Sequence, residues 1–362
     1  MSAIYRRGLL VCLLLALFFT LLVALDFFSF IARPMLDGTS VYQFIYPPGR
    51  SSRWLTRSLY RQGVLAQWRY QYYLELLIRL QGAPQDLQAG EYVITSNTTP
   101  QMLLLKLRAG DVVTYHVTLV NGWTLDQALT VLRQQTAMTH TPSTQLKDLL
   151  RQRLGIQHSS LEGLFYPDTY QYTRGTSDID ILTQAYALMQ THLKTAWRHR
   201  EPGLPFKNPY QALIAASLIE KETAKEEERG LIASVLVRRL QKRMRLQFDP
   251  TVIYGLGAQF TGRLSKADLL ADNPYNTYTR YGLPPTPIAL SSAASMQAVC
   301  QPADTEYLYF VAKGDGSHQF SRNLSEHNAA VRLFIKQRSD SSLCWDCHPL
   351  SVPVNSERKH RL

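Results

Sequence analysis

The pattern of apolar and polar positions begins with one long apolar run near the N-terminus. Residues 9–25 are apolar apart from one small polar residue, and residues 27–32 continue the run after Asp26. A run of this length can cross a bilayer. Arg6 and Arg7 precede it, so the positive-inside rule predicts a cytoplasmic N-terminus and an exported remainder. A cleaved signal peptide is the alternative, but the run is long for one and no A-x-A-like site follows it.

Beyond this run, shorter periodic stretches predict a mixture of helices and strands. The predicted helices cover residues 53–62, 67–80, 99–108, 124–135, 179–198, 209–229 and 232–243, and the predicted strands cover residues 89–94 and 112–120. Gly230 is expected to separate the last two helices. Residues 33–50 are expected to form a linker with Pro and Gly, and residues 139–144 a polar loop.

The order of these elements predicts an α+β fold in several parts. We expect residues 1–8 in the cytoplasm, a transmembrane anchor at 9–32, and a linker with a small α+β module at 33–112. A mixed α+β domain that carries the candidate chemistry is expected at 113–338. The polar tail at 339–362 is expected to be disordered.

One predicted helix carries two carboxylates in different surroundings. Residues three and four apart share a helix face, so Glu222 lies over Leu218 and Ile219, whereas Glu220 projects elsewhere. A carboxyl on an apolar face is desolvated, which raises its pKa and lets it donate a proton near neutral pH. The alternative is that Glu222 pairs with nearby Lys225 and only caps the edge of the core.

The formal net charge of +11 suits contact with anionic headgroups or an anionic polymer outside the membrane. No run of Lys and Arg interleaved with aromatic residues is present, which argues against a nucleic-acid partner. Cys344 and Cys347, with His348, are one ligand short of a closed zinc site, so a disulfide or free thiols are expected there. A solvated or capping role is expected for His318 and His327.

Three polar stretches rich in Gly and Pro follow the glutamate helix and suit a sugar-binding cleft. Amides and carboxylates can hydrogen-bond hydroxyl and acetamide groups, and aromatic rings can stack on sugar faces. The candidates in these stretches are Gln247, Asp249, Tyr254, Tyr275 and Asn276. Each stretch alone is also explained by turn chemistry, because Asp-Pro, Asn-Pro and Pro-Pro are common in loops. Asp249 is the candidate for the second carboxylate that a hydrolase needs.

Taken in order, these stretches resemble the YceG-like family of endolytic murein transglycosylases. The most specific match is the series Ala-Ser-Leu-Ile-Glu-Lys-Glu-Thr at 216–223. The other matching stretches are 162–170, 228–229, 245–255, 275–278, 282–288, 307–311 and 327–328. Residues 40–112 resemble the family's LysM-like module. Phe248, Thr286 and Asn121 depart from the family pattern, and these departures bear on substrate details rather than on the reaction.

The resemblance implies that Glu222, the second glutamate of Glu-Lys-Glu-Thr, is the catalytic acid. The residues that it places around the substrate are Glu220, Gln247, Asp249, Tyr254, Tyr275 and Asn276. It implies an enzyme of the inner (plasma) membrane that cuts the MurNAc–GlcNAc bond inside nascent peptidoglycan, leaves a 1,6-anhydro end and ends strand elongation. Peptidoglycan strands and their synthases are the implied partners, and neither a cofactor nor a metal is implied.

Two other functions are compatible with the same residues. A membrane-anchored protein could bind glycan through the LysM-like module without cutting it. A muramidase could use water as the nucleophile, with Asp249 as the second carboxylate, and would leave reducing ends instead of anhydro ends.

Overall fold

A computed structural model of the chain describes residues 3–82 and 85–339. The helices within this part are α1 (Ala3–Ala32), α2 (Ser52–Arg61), α3 (Tyr70–Leu80), α4 (Pro100–Ala109), α5 (Leu125–Arg133), α6 (Ser143–Leu154), α7 (Asp178–Arg198), α8 (Pro209–Glu222), α9 (Glu226–Gln241), α10 (Asp249–Leu256), α11 (Lys266–Leu270), α12 (Ala293–Cys300) and α13 (Leu324–Ser339). The strands are β1 (Tyr42–Tyr46), β2 (Gly90–Ile94), β3 (Thr114–Thr118), β4 (Thr169–Thr173), β5 (Tyr309–Ala312) and β6 (His318–Ser321). This mixture of elements confirms the predicted α+β class. The predicted tail, with Cys344 and Cys347, lies outside the described residues beyond Ser339.

The chain divides into two compact units, and each is described by itself. The smaller unit contains the chain up to residue 116, with the short segments 136–139 and 171–176. The larger unit contains residues 117–135, 140–170 and the chain from residue 177 onward. The strands pair as β1 with β2, β3 with β4, and β5 with β6.

The smaller unit is a two-stranded antiparallel sheet packed against three short helices. Tyr42 of β1 lies opposite Ile94 of β2, and Tyr46 lies opposite Gly90. The helical residues that fill the core are Leu55, Leu59, Leu74, Ile78, Leu103, Leu104 and Leu107, all almost fully buried. Burying each such side chain contributes roughly 1.5–3 kcal/mol before the cost of ordering the chain. The packing of α2, α3 and α4 is therefore what holds this small unit together.

Helix α1 ends inside the smaller unit. The segment Arg7–Ala32 is long and apolar enough to cross a membrane, a test of length and composition that a signal sequence also passes. Phe30, near its end, is buried in the core of the smaller unit. Asp26 accepts hydrogen bonds from Arg69 Nε at 2.7 Å and from the Tyr73 hydroxyl at 3.1 Å. The last turns of α1 are thus packed against α3.

Helix α8 forms the centre of the larger unit. It begins at Pro209, as predicted, where the Asn208 side chain accepts a hydrogen bond from the amide of Gln211. All eight residues from 212 to 219 are buried, and the helix packs against α7, α9, α10 and α12. A helix that is apolar on all sides belongs in an interior. Thr223 is extended (φ −142°, ψ 137°), so the helix ends directly after Glu222.

Three sequence-based predictions about elements were wrong. The expected linker at 33–50 contains β1, which forms because the side chains of Phe44 and Tyr46 are buried when β1 pairs with β2. The helix carrying Glu222 does not break at Gly230, which lies within α9. The break comes earlier, at residues 223–225, and the acidic first turn of α9 favours a new helix start there. Helix α6 was not predicted at all, and it shortens the expected polar loop at 139–144.

Candidate active site

Glu222 is the last residue of α8, and its carboxyl group is only partly accessible. The residue keeps some exposure, but its Oε2 is buried and has no hydrogen-bond partner within the described part of the chain. The alternative ion pair with Lys225 is not formed, since no ion pair of Glu222 occurs among the described residues. The carboxyl group therefore lacks the partners that would stabilise its charged form.

Two physical effects raise the pKa of Glu222 to about 8. Burial is the larger effect, because it penalises the charged carboxylate, and the negative charge of Asp249 adds to it. The carboxyl group is therefore protonated near neutral pH and can donate a proton, which the helix-face argument predicted from the sequence. Glu222 as a whole residue keeps some exposed surface at the end of α8.

Asp249 begins α10 and is exposed, on the side of the site that also carries Gln247. Its Oδ1 accepts a hydrogen bond from the Tyr278 hydroxyl. Burial is the largest effect that raises the pKa of Tyr278, and the negative charges of Asp249 and Glu222 raise it further. Gln247 lies in the left-handed region at φ 56°, which is uncommon for a residue other than glycine. Its Oε1 accepts a hydrogen bond from Nη1 of the buried Arg239 at 3.1 Å.

Tyr254 and Tyr275 form an aromatic pair beside a carboxylate that the sequence analysis did not single out. Their ring centroids are 4.8 Å apart. The Tyr254 hydroxyl donates to Glu162 Oε2 at 3.1 Å, and the Leu125 amide donates to Glu162 Oε1 at 2.8 Å. Burial raises the pKa of Glu162 to about 7, although these hydrogen bonds lower it. A lone carboxylate inside the apolar stretch 161–165 was the signal that could have identified it.

Two predicted substrate residues hold the structure together in ways that the sequence did not indicate. Glu220 accepts hydrogen bonds from the amide and hydroxyl of Ser292 at 2.8 and 2.5 Å, and so caps the start of α12. The Asn276 side chain is buried, and its amide donates to the carbonyl groups of Asp268, Leu269 and Ala271. Contact of either side chain with a sugar stays a prediction.

A hydrogen bond from the Ile288 amide to the Ser217 side chain joins the loop at 282–288 to α8. The Ser217 hydroxyl accepts from the Ile288 amide at 3.0 Å and donates to the Ile214 carbonyl at 2.7 Å. Gly163 lies against this loop at φ 72°, and a Cβ there would approach Pro287 to 2.3 Å. The loop at 282–288, the segment of Glu162 and the helix of Glu222 are therefore packed together in the larger unit.

Directly after Glu222, a buried hydrogen-bonded pair of side chains, Glu228 and His318, supports the turn between α8 and α9. Glu228 Oε2 lies 2.7 Å from His318 Nδ1, and Glu228 Oε1 accepts from the His318 amide at 2.9 Å. Thr223 donates to Glu228 at 3.4 Å and accepts from the Lys225 amide at 3.1 Å. The expected solvated or capping role of His318 was wrong, because this side chain is buried against Glu228.

No group of three or more His, Cys, Asp or Glu side chains that could hold a metal ion occurs among residues 3–82 and 85–339. The larger unit instead combines a protonated carboxyl group, a second carboxylate, an amide and a pair of aromatic rings. These features define a class of protein that acts on a polar polymer such as a glycan by acid–base chemistry.

The chain belongs to the YceG-like family, whose sequence model matches residues 44–333. An endolytic murein transglycosylase of Bacillus subtilis is 29% identical over 325 residues, covering 84% of this chain and 88% of that protein. An endolytic murein transglycosylase of Streptococcus pneumoniae strain D39 is 29% identical over 287 residues. This second match covers 70% of the chain and 52% of the relative, so about half of that relative is matched.

A solved structure supports the same family at the level of the fold. The crystal structure of a YceG-like protein from Listeria monocytogenes, determined at 2.6 Å, superposes with a TM-score of 0.51 at 28% sequence identity. The superposition covers 81% of this chain and the whole of that chain.

Proposed function

We propose that this chain is a membrane-anchored lytic transglycosylase that cuts the MurNAc–GlcNAc bond inside nascent peptidoglycan strands. The observation that carries the proposal is the carboxyl group of Glu222, whose pKa is raised to about 8 at the end of a buried helix. The names of the bacterial relatives support the reaction class. Cutting within strands beside the membrane would end their elongation.

In the proposed reaction Glu222 acts first as an acid and then as a base. Its proton passes to the glycosidic oxygen as the bond from that oxygen to C1 of MurNAc breaks, and positive charge develops at C1. The Glu222 carboxylate then takes the proton of the C6 hydroxyl while that oxygen bonds to C1. The products are a free GlcNAc hydroxyl and a 1,6-anhydro ring, so no water is consumed.

The polar and aromatic groups predicted for the substrate region are suited to holding the glycan. Gln247 and Asp249 are exposed and offer an amide and a carboxylate to sugar hydroxyls. Tyr254 and Tyr275 offer ring faces for stacking. We assign Glu220 and Asn276 to the same substrate region, where their hydrogen bonds hold α12 and the end of α11.

The apolar segment of α1 is suited to anchoring the enzyme in the inner (plasma) membrane. Arg6 and Arg7 precede it, which favours a cytoplasmic N-terminus and an extracytoplasmic larger unit. We assign residues 9–32 to the anchor, 33–112 to the LysM-like module with its connecting segment, and 113–338 to the catalytic domain. Peptidoglycan synthases are the partners that an enzyme acting on growing strands would meet.

A hydrolytic muramidase is the second candidate, and the charge of Asp249 favours it. Asp249 is a carboxylate whose charge acts on Glu222, and hydrolysis of a glycoside commonly uses two such groups. In that mechanism water would attack C1 and the product would carry a reducing end. The two reactions therefore differ in the mass of their products by one water molecule.

The test is a digest of purified peptidoglycan by the full-length protein, read by mass spectrometry. Glu222→Gln is compared with Glu227→Gln, which alters an exposed glutamate on α9. Anhydro-ended fragments that disappear only in Glu222→Gln are the expected result. Reducing-ended fragments would assign hydrolysis. Glycan binding without any fragments, in wild-type and Glu222→Gln protein alike, would assign a binding protein.

A further inference from the structure

The smaller unit presents an apolar stripe on the outer side of α3. Trp68, Tyr72, Leu76 and Leu80 are four residues apart and are 63%, 61%, 45% and 69% exposed. Tyr72, Leu76 and Leu80 share one face of α3, because residues four apart lie on the same side of a helix. Trp68, in the turn before α3, contacts the ring of Tyr72 at 6.0 Å between centroids. Single exposed apolar residues are ordinary, but a contiguous stripe marks a surface that contacts something else. The proposed glycan reaction, in the larger unit, does not use it.

A row of arginines lies on α2 beside this stripe. Arg53, Arg57 and Arg61 are also four residues apart, and with Arg50 they line a groove of about 710 Å³. A second groove of about 290 Å³ is lined by residues of both helices, including Arg53, Arg57, Tyr72 and Leu76. The arginine row and the apolar stripe therefore form one continuous surface, which we call the basic–aromatic face.

The charge of this face is only partly neutralised. Glu75 lies in the second groove and pairs with Arg79 at 3.1 Å and with Arg53 at 4.0 Å. Within residues 3–82 and 85–339, no acidic partner lies within 4 Å of Arg50, Arg57 or Arg61. Three guanidinium groups are thus free to bind an anionic ligand, and guanidinium groups match phosphate geometry well.

The same helix α3 is fixed to the end of α1. Two aromatic contacts add to the hydrogen bonds that Asp26 accepts. Phe27 packs against Tyr73 with ring centroids 5.5 Å apart, and Phe30 stacks on Tyr70 with ring centroids 4.7 Å apart. About 20 residues cross the hydrocarbon core of a bilayer, so a span that begins near residue 9 ends near residue 28. Trp68 and Tyr72 adjoin the residues that hold Asp26 and lie near that boundary. Trp and Tyr are the side chains most enriched at the membrane interface.

We propose that the basic–aromatic face lies on the membrane surface, with Trp68 and Tyr72 in the interface and the arginines on anionic phospholipid headgroups. The proposal rests on the membrane anchoring proposed above. A second copy of the chain or an acidic protein could also cover an apolar and basic face. Lipid is favoured because α1 holds this face beside the bilayer, and because free guanidinium groups complement phosphate.

The test uses the full-length chain with the photo-crosslinker p-benzoylphenylalanine in place of Tyr72. The protein is reconstituted into vesicles of phosphatidylcholine with phosphatidylglycerol, and in parallel into phosphatidylcholine alone. Lipid adducts are then measured by mass spectrometry. The matched control carries the crosslinker in place of Leu270, which is 78% exposed in the larger unit. Extraction with alkaline carbonate reports separately whether the chain is inserted.

We expect lipid adducts at position 72 and none at position 270. Replacing Arg53, Arg57 and Arg61 by Gln should lower the adduct yield in the anionic vesicles at least about fivefold, since each basic residue near an anionic surface contributes roughly that factor. These three side chains are exposed, so the fold should be unaffected. The yield in phosphatidylcholine alone should respond little to the same change.

Each contrary result has a distinct meaning. An inserted chain without adducts at position 72 would overturn the membrane contact and leave the anchoring intact. Adducts that do not depend on the arginines would overturn their assignment to headgroups. Crosslinks from position 72 to a second copy of the chain would assign the face to self-association. A chain that carbonate extracts would refute the anchoring and this inference with it.

Discussion

His318 Nδ1 lies 2.7 Å from Oε2 of Glu228, and both side chains are almost fully buried. Glu228 follows Glu222 by six residues and His318 follows it by ninety-six, yet the pair lies beside the turn that follows Glu222. Glu228 also accepts the His318 amide and the Thr223 hydroxyl. One carboxylate thus links the first turn of α9, the start of β6 and the residue next to Glu222. The position of Glu222 depends on this pairing as well as on α8.

Replacing Glu228 by Gln should destabilise the protein by about 1–3 kcal/mol near neutral pH, because a buried hydrogen bond to a charged group is lost. Burial pushes the pKa of Glu228 up, but hydrogen bonds from the His318 ring and amide outweigh it and hold the pKa below its usual value. The contribution of this carboxylate is therefore present above about pH 4.5 and is lost as the pH falls through its lower folded pKa. Urea unfolding at several pH values measures it.

The control for this experiment is Glu227→Gln, which changes an exposed neighbour on the same helical turn. Its stability should differ little from wild type at every pH. If Glu228→Gln were as stable as the control at neutral pH, the pairing would have no structural role.

The rate of glycan cleavage should fall as the pH rises above about 8. Glu222 must be protonated to donate, and its pKa is raised to about 8. Above that value the rate should fall about tenfold for each pH unit. The pH dependence of kcat/KM measures this. The same fall in rate above pH 8 should persist in Glu162→Gln, which removes the other carboxyl group with a raised pKa, that of Glu162 at about 7. If the alkaline fall in rate disappeared in Glu162→Gln, the group that titrates would be Glu162 and not Glu222.

Replacing Glu222 by Gln should make the protein more stable at alkaline pH while it removes activity. The folded pKa of about 8 lies above the unfolded value near 4.5, so folded wild type holds a proton that the unfolded chain has lost. Glu222 therefore contributes a decline in wild-type stability between pH 4.5 and 8, and Gln should remove that contribution. The decline that Glu162 contributes, with its pKa raised to about 7, should remain in the variant. We expect the free energy of unfolding of the variant to exceed that of wild type by about 1–3 kcal/mol at pH 8 and by almost nothing at pH 4. This value is smaller than the full pKa shift implies, because Glu222 is partly exposed. Tm measured across this range, with Glu227→Gln as the control, tests it; equal gains at both pH values would contradict the raised pKa.

The raised pKa of Glu222 could be predicted from the sequence because its setting is local, whereas the hydrogen bonds that hold Glu162 could not be predicted because they are tertiary. The three- and four-residue spacing within one helix places Glu222 over Ile219 and predicts desolvation. Glu162 is buried by partners that lie 37 and 92 residues away, Leu125 and Tyr254. No short window of sequence contains that information.

The errors in the predicted elements have the same origin. Strand β1 is held by pairing with β2, about fifty residues later, so its own residues indicated only a linker. Gly230 has weak helix propensity, yet it lies inside α9, where its carbonyl accepts a hydrogen bond from the distant Ala303 amide at 3.1 Å. The predicted start of a helix at residue 99, by contrast, was right, because the Thr99 hydroxyl caps it by accepting from an amide only three residues away.

Replacing Glu162 by Gln should lower both stability and activity. The carboxyl group accepts from the Leu125 amide and the Tyr254 hydroxyl, and an amide side chain has only one acceptor oxygen for these two donors. We expect the free energy of unfolding to fall by about 1–3 kcal/mol, because one buried donor loses its acceptor. We also expect a lower kcat/KM, because Tyr254 would lose its fixed orientation. Tyr254→Phe removes only the hydroxyl. In a double-mutant cycle the two changes should be clearly non-additive, and strict additivity would show that the hydrogen bond contributes nothing.

The left-handed backbone of Gln247 predicts that glycine and alanine variants differ in stability but not in activity. At φ 56° a residue with a Cβ is strained, and glycine is not. Gln247→Gly should therefore be more stable than Gln247→Ala by about 1 kcal/mol, although both lose the acceptor for Arg239. Because both variants lack the same amide, the difference reports the relief of backbone strain less the larger entropy that glycine loses on folding. If Gln247 contacts the glycan, both variants should raise KM to a similar extent. Unfolding by urea and steady-state kinetics measure the two effects, and an alanine variant as stable as the glycine variant would show that the strain is absent.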